Sequence, residues 1–229
     1  MWLLDDLAEG LLEAILPTRC AGCDLPGALL CDTCMRDLRR IDAAGACPYC
    51  GAPYGHIVCT ECWDTEYAFC AAAAVSALER PLSRAITLYK DGGERRLQGL
   101  LGRLLLERIE PWHGWPQAVV PVPATRRAVR ERGFDHVEGI ARVVAQGLGV
   151  PLVGALGAPR ARDLRALGRD ARRAEVAGAF APVAGAKLPA RVLLVDDVLT
   201  TGSTLDAAAS VLLAIGVEQV RVAVIARAW

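Results

Sequence analysis

Arg191-Val-Leu-Leu-Val-Asp-Asp-Val-Leu-Thr-Thr-Gly-Ser-Thr-Leu205 is the stretch on which the reading of this 229-residue chain turns. Val192 to Val195 have the length and β-branched content of a buried parallel strand. That strand is expected to end at two adjacent carboxylates, Asp196 and Asp197. A turn of small polar residues follows, Thr200-Thr201-Gly202-Ser203-Thr204, and then an alanine-rich helical run from Leu205 to Ile215. Open α/β sheets bind ligands at the carboxyl ends of their strands. A helix start offers N–H groups and a positive dipole end to a phosphate. The Thr/Gly/Ser turn lets the backbone approach that phosphate and adds hydroxyl donors. The two acids can accept hydrogen bonds from the vicinal hydroxyls of a ribose. Together these elements describe a receptor for a sugar phosphate.

Working outward, the texture from about Cys70 alternates between strand and helix. Strands are expected at 71–78, 118–122, 151–155, 191–196 and 219–226. Helices are expected at 81–90, 95–109, 136–147, 163–177 and 203–215. Alternation with continuous apolar strands argues a parallel α/β sheet. A second site element is Val119-Val120-Pro121-Val122-Pro123, running into Arg126-Arg127-x-x-Arg130-Glu131-Arg132-Gly133-Phe134. A strand entering Pro-x-Pro and an Arg-rich loop delivers guanidinium groups to the same sheet edge, where a pyrophosphate would lie. Arg126, Arg130 and Arg132 are the candidates, with Pro121, Val122 and Pro123 shaping the turn.

The other end of the chain has different chemistry. Eight of its nine cysteines form four Cys-x-x-Cys pairs: Cys20/Cys23, Cys31/Cys34, Cys47/Cys50 and Cys59/Cys62. Each such turn aims two thiolates at one tetrahedral metal, and two turns complete a structural zinc site. Closing adjacent pairs gives two zinc ribbons; a cross-braced arrangement joining first with third is the less economical alternative. All eight ligands are protein thiolates, so no coordination position is left for catalysis. Disulfides would need an oxidising compartment, and nothing here indicates export. Cys70 is the odd thiol and is expected in the core. The division expected is 1–66, an amphipathic N-terminal helix plus double zinc ribbon, and 67–229, the α/β domain.

Composition sets limits. Apolar residues make up 53% of the chain, ample for a sizeable core, and the formal net charge is zero. No global field therefore recruits nucleic acid or membrane, although arginines cluster at 126–132 and 160–173. The amphipathic start, Trp2 to Leu16, carries acids where a signal peptide needs a basic start and an unbroken apolar run. No segment is long and apolar enough to span a membrane, and a cytoplasmic location is expected.

The motif at Val195-Asp196-Asp197 with Thr200-Thr201-Gly202-Ser203-Thr204 resembles the phosphoribosyl-pyrophosphate (PRPP) motif of type I phosphoribosyltransferases. The order of further motifs widens the resemblance. It runs from a four-knuckle head through Leu88-Tyr89-Lys90, Pro121-Val122-Pro123, Arg132-Gly133-Phe134 and Arg172-Arg173 ahead of Gly178-Ala179-Phe180, and then to the motif. This order is similar to the competence-protein ComF (GntX-type) family. The resemblance implies a zinc-ribbon head on a type I phosphoribosyltransferase-like domain, with zinc as structural metal and Mg²⁺ accompanying PRPP. Asp196 and Asp197 would be the catalytic, ribose-holding acids, and Thr200 to Thr204 would take the 5-phosphate. PRPP or a nucleoside 5′-phosphate is the implied ligand. Single-stranded DNA and proteins of the competence machinery are the implied partners, in uptake and processing of transforming DNA. The alternative is a non-catalytic adaptor that uses the fold as a PRPP or nucleotide sensor. Trp63 and Tyr67, beside the last knuckle, are the local aromatics for stacking bases. Asp135-His136 departs from the family's usual Asn-Gln, and Glu175 stands where Asn is usual.

Overall fold

The computed structural model describes residues 17–53, 57–159 and 178–229. The expected helices at the N-terminus and at 163–177, the second arginine cluster and Glu175 lie outside the described residues. Four strands, β1 (Ala71–Ala77), β2 (Ala118–Pro121), β3 (Arg191–Leu199) and β4 (Gln219–Arg227), form one sheet. Its order is β1-β4-β3-β2, and every neighbouring pair is parallel. All strand C-termini therefore meet at one edge. The register aligns Val195 of β3 with Pro121 of β2 and with Ala223 of β4.

Successive side chains of a strand point to opposite faces, and both faces here are apolar. Leu193, Val195, Ala223 and Ile225 face one layer, built from α2 (Leu82–Lys90), α3 (Leu97–Arg108) and α5 (His136–Leu148). Val192, Leu194, Val222 and Val224 face the other, where α6 (Ser203–Ala214) contributes Leu205, Ala208, Ala209 and Leu212. The short α1 (Asp32–Arg36) belongs to the cysteine-rich head, and α4 (Arg126–Arg132) follows β2. No helix among the described residues is long and apolar enough to cross a membrane.

Four expectations need correction. β3 does not stop at the acids: Val198 and Leu199 continue the ladder against Ala226 and Arg227, because β4 runs alongside to its own end. The stretch 151–155 is a single bridge, Leu152 with Val119, and not a strand. Pro151 has no N–H to offer a ladder and Gly154 weakens one. The arginine-rich segment after Pro123 is helical and not a loop. Thr125 caps it by accepting the Ala128 N–H at 3.2 Å, and Gly133 closes it in the left-handed conformation. Cys70 is exposed, its thiol donating to the Val220 carbonyl at 3.3 Å.

α3 packs closely on α5 at Gly102, where an added Cβ would lie 2.5 Å from the Val143 Cβ. Gly102→Ala is expected to destabilise the protein. Overpacking costs about 1–3 kcal/mol, against a helix-propensity gain of about 1 kcal/mol. The melting temperature should fall by a few degrees; an equal or higher value would show that the two helices separate freely.

Candidate functional site

The C-terminal edge of the sheet carries the acid pair, and the chain then turns into α6 around a small hollow lined by Val198 to Leu205. Gly202 is the N-cap of α6, with φ +79°. Thr201 Oγ1 and Ser203 Oγ are 3.0 Å apart across the turn. The first N–H groups of a helix have no intrahelical acceptor. This turn therefore gathers backbone donors and hydroxyls around one point, at the positive end of the α6 dipole.

Behind the loop, three elements converge on Asp197. It is buried, and its Oδ2 accepts from Lys90 Nζ at 2.7 Å, from the last turn of α2. His136 Nε2, from the first turn of α5, lies 3.0 Å from the same oxygen. Arg132 Nη1 stands 3.4 Å from His136 Nδ1. A guanidinium can only donate, so Nδ1 accepts and Nε2 carries the proton that goes to Asp197. Asp196 Oδ1 accepts the Asp197 N–H at 2.8 Å. Burial and the adjacent Asp197 charge push the Asp196 carboxyl well above the ordinary carboxylate range. Burial acts the same way on Asp197, but His136 and the Lys90 ammonium outweigh it and hold its carboxyl well below that range. The pair is split: Asp197 carries the charge and Asp196 resists it.

The frame around this centre is aromatic. Tyr89, next to Lys90 and buried, donates to the His136 carbonyl at 2.8 Å. Phe134 meets the Tyr89 ring edge-on at 5.4 Å and lies under the Arg95 guanidinium. Asp135 caps α5 by accepting the N–H groups of Val137 and Glu138, and accepts the Ala124 N–H as well.

In the head, Cys20, Cys23, Cys31 and Cys34 form one cluster and Cys47, Cys50, Cys59 and Cys62 the other, each with its sulfurs within 4.8 Å of one another. Adjacent pairs close, and the cross-braced alternative is excluded. Two contacts, Cys23 to Cys31 at 3.7 Å and Cys50 to Cys59 at 3.6 Å, match the edge of about 3.8 Å of a tetrahedron with Zn–S bonds near 2.3 Å. Burial disfavours ionisation of Cys20, yet N–H donors of Cys23, Cys31 and Gly22 bring its thiol down to about 6. Donors of Cys59, Cys50 and Tyr49 bring Cys47 to about 7 against the same burial. Burial pushes Cys50 up to about 11, and Cys34 and Cys62 strongly upward. Each cluster thus has one thiol ready to ionise and others that need a cation first. Both sets fit structural zinc, with no ligand position left open.

A phosphoribosyl transferase domain model matches residues 139–228. The "DNA utilization protein YhgH" of Salmonella typhi is 29% identical over 227 residues, 90% of this chain and 96% of that protein. "Competence protein F" of Haemophilus influenzae is 27% identical over 211 residues, 87% and 90% respectively. Over most of its length the chain is similar to the ComF/YhgH proteins. Among solved structures, an orotate phosphoribosyltransferase from Aeropyrum pernix overlaps 59% of this chain and 73% of its own, at 19% identity and a TM-score of 0.36. The parallel α/β fold of this chain stands on its own sheet order and on its strand–acid–loop–helix unit.

The remaining sequence candidates fall around the same edge. Pro121 ends β2, and the Val122 N–H bonds at 2.9 Å to the carbonyl of Val195, the residue before the acids. Arg126 and Arg130 are exposed on α4, whereas Arg132 is half-buried and paired with Asp91 at 3.0 Å. Lys90 and His136 are the site residues that sequence reasoning did not assign. Both stood inside motifs it quoted, Leu88-Tyr89-Lys90 and Asp135-His136, and only the fold shows that they share Asp197.

Two outcomes follow from the site. Metal analysis of the purified chain is expected to find about two zinc ions, one per cluster; one or none would refute the assignment. Folded Asp196 takes up a proton more readily than the unfolded chain, so the parent loses stability as pH rises through the folded pKa. Asp196→Asn removes that loss. Its melting temperature should exceed the parent's by a margin that grows with pH and vanishes below about pH 4. A margin independent of pH would refute the split pair.

Proposed function

We propose that this chain binds PRPP with Mg²⁺ at the C-terminal edge of its sheet and transfers the phosphoribosyl group to an acceptor. The observation that carries the reading is the acid pair of β3, Asp197 buried and Asp196 half-buried, followed after Val198 and Leu199 by the Thr200–Thr204 turn at the start of α6. Asp196 and Asp197 would accept the ribose 2′- and 3′-hydroxyls. The backbone and hydroxyls of Thr200, Thr201, Gly202, Ser203 and Thr204 would hold the 5-phosphate. Pro121 to Pro123, with Arg126, Arg130 and Arg132, would face the pyrophosphate. As the C1–oxygen bond breaks, its electrons leave with pyrophosphate and positive charge develops on the ribose ring. Fixed donors around the leaving group then stabilise the transition state. The metal supplies counter-charge to the pyrophosphate when bound. In this reading residues 1–66 form the metal-holding head and 67–229 the transferase domain.

The names of the similar proteins supply the biological direction, DNA utilization and competence. Single-stranded DNA and competence proteins are accordingly the partners proposed, in a cytoplasmic setting.

The double variant Asp196→Asn/Asp197→Asn tests the site, since Asn preserves the shape of both side chains. A hydrogen bond to a charged acceptor contributes about 1.5–3 kcal/mol, and Asp197 is the charged member of the pair. PRPP affinity, measured by calorimetry, should therefore fall by about tenfold or more. Unchanged affinity for PRPP and ribose 5-phosphate would overturn the proposal. Isotope exchange between pyrophosphate and PRPP, run with a panel of bases and amines present to take the ribosyl group at C1, separates an enzyme from a sensor: a protein that binds PRPP tightly without exchange under any of them is the adaptor.

A further inference from the structure

The segment Glu61–Ala68 leaves the second cysteine cluster and runs along the phosphate turn, and it is tied there at three points. Tyr67 packs against the cluster's cysteines and stacks on Phe69, ring centroids 4.6 Å apart. Its hydroxyl donates to the Thr201 carbonyl at 3.4 Å. Its ring also lies so close to Gly202 that an added Cβ there would meet Cε1 at 2.9 Å. Arg227, the last residue of β4, is only 2% exposed and donates to the carbonyls of Leu199 and Thr200. Its Nη2 pairs with Glu61 at 3.3 Å, one residue before the ligand Cys62. The Ala68 N–H bonds to Asp206, in the first turn of α6, at 2.7 Å.

The ties at Leu199, Thr200 and Thr201 all end on backbone carbonyls. They fix the path of the main chain and leave the turn's hydroxyls and N–H groups for a ligand. Arg227 has a second property: a buried guanidinium needs its counter-charge nearby, and removing the partner is costly. Among the described residues the carboxylate that pairs with it is Glu61, held where the Cys59/Cys62 knuckle holds it.

We propose that the second four-cysteine module is the brace of the phosphate turn. Metal bound by Cys47, Cys50, Cys59 and Cys62 holds Glu61 and Tyr67 in place, and these, with Arg227, hold Thr200–Gly202 in the anion-receiving conformation. Loss of that metal frees the turn and lowers its affinity for phosphate. Tyr67, Glu61 and Arg227 are positioning residues, acting through the loop and not on the ligand. This inference rests on the reading of the turn as the 5-phosphate site.

The test uses the full chain with zinc bound, ribose 5-phosphate as the probe, and amide hydrogen exchange across residues 201–205. Tyr67→Ser removes both the ring and the hydroxyl. It is expected to weaken ribose 5-phosphate by about tenfold and to speed exchange in the turn, with zinc content unchanged. Tyr67→Phe keeps the ring over Gly202 and should restore most of both. Arg39→Gln breaks an exposed pair between head and core, Arg39 with Glu79 at 2.9 Å, and should alter neither. Chelating the zinc of the parent should free the turn's amides before those of Leu193 to Val195 in β3; simultaneous loss would overturn the brace. Tyr67→Ser with parental exchange and affinity would also overturn it while leaving the phosphate site standing. A parent that binds no ribose 5-phosphate would sink the phosphate reading instead. Exchange alone then decides the brace: faster turn amides in Tyr67→Ser uphold it and parental rates refute it.

Discussion

Two carboxylates on consecutive residues of a central strand repel each other, and most of the site's architecture answers that repulsion. Asp197 keeps its charge because Lys90 and His136 reach it from two different helices. For both to arrive, α2 must end and α5 must begin beside β3. Tyr89 makes this happen by joining the two helices, donating to the His136 carbonyl while its ring meets Phe134. Arg-Gly-Phe is thus a corner as well as a source of charge. Gly133 turns the chain, and Phe134 is pinned between Tyr89 and Arg95. Asp196 meets the opposite outcome: burial and the neighbouring charge raise its carboxyl and favour the protonated form.

The two metal clusters join the domain differently. The first is packed into the helical layer, where Cys20, Cys34 and Leu30 share a core with Leu82 and Ala85. Arg84 reinforces that joint by donating to the Cys20 and Ala21 carbonyls. The second forms a small core of its own, which meets β1 where the Ala72 N–H bonds to the Pro48 carbonyl and reaches the phosphate-turn side through Tyr67. One module packs into the helical layer, and the other lies between β1 and the turn at the start of α6.

Much of this was legible from the chain. The buried run at Val192–Val195, the acids, and the small-residue turn are local patterns with local causes. So are the Cys-x-x-Cys pairs, whose short loops favour closing neighbours. What could not be read was set by partners distant in sequence. β3 continues past the acids only because β4 extends beside it. The helix after Pro123 has no apolar stripe to announce it; its evidence was the bracketing pair Thr125 and Gly133. Lys90 and Asp197 are 107 residues apart, and His136 and Asp197 are 61 apart. Nothing short of the sheet order predicts that they meet.

The head also does something for the sheet that has no connection with metal or ligand. A strand at the border of a sheet displays unpaired N–H and C=O groups that can template pairing with another chain. β1 is such a border strand, yet Ile41 bonds to its Val75 carbonyl, its Ala77 N–H bonds to Arg39, and Ser76 donates to the Arg39 carbonyl. At the opposite border, β2 is covered by the short bridge from Leu152. Cutting the chain between the cysteine-rich segment and the sheet would uncover the whole flank of β1. The α/β half on its own would then carry a bare, apolar border and invite self-association, which makes the head a solubility device for the domain it precedes.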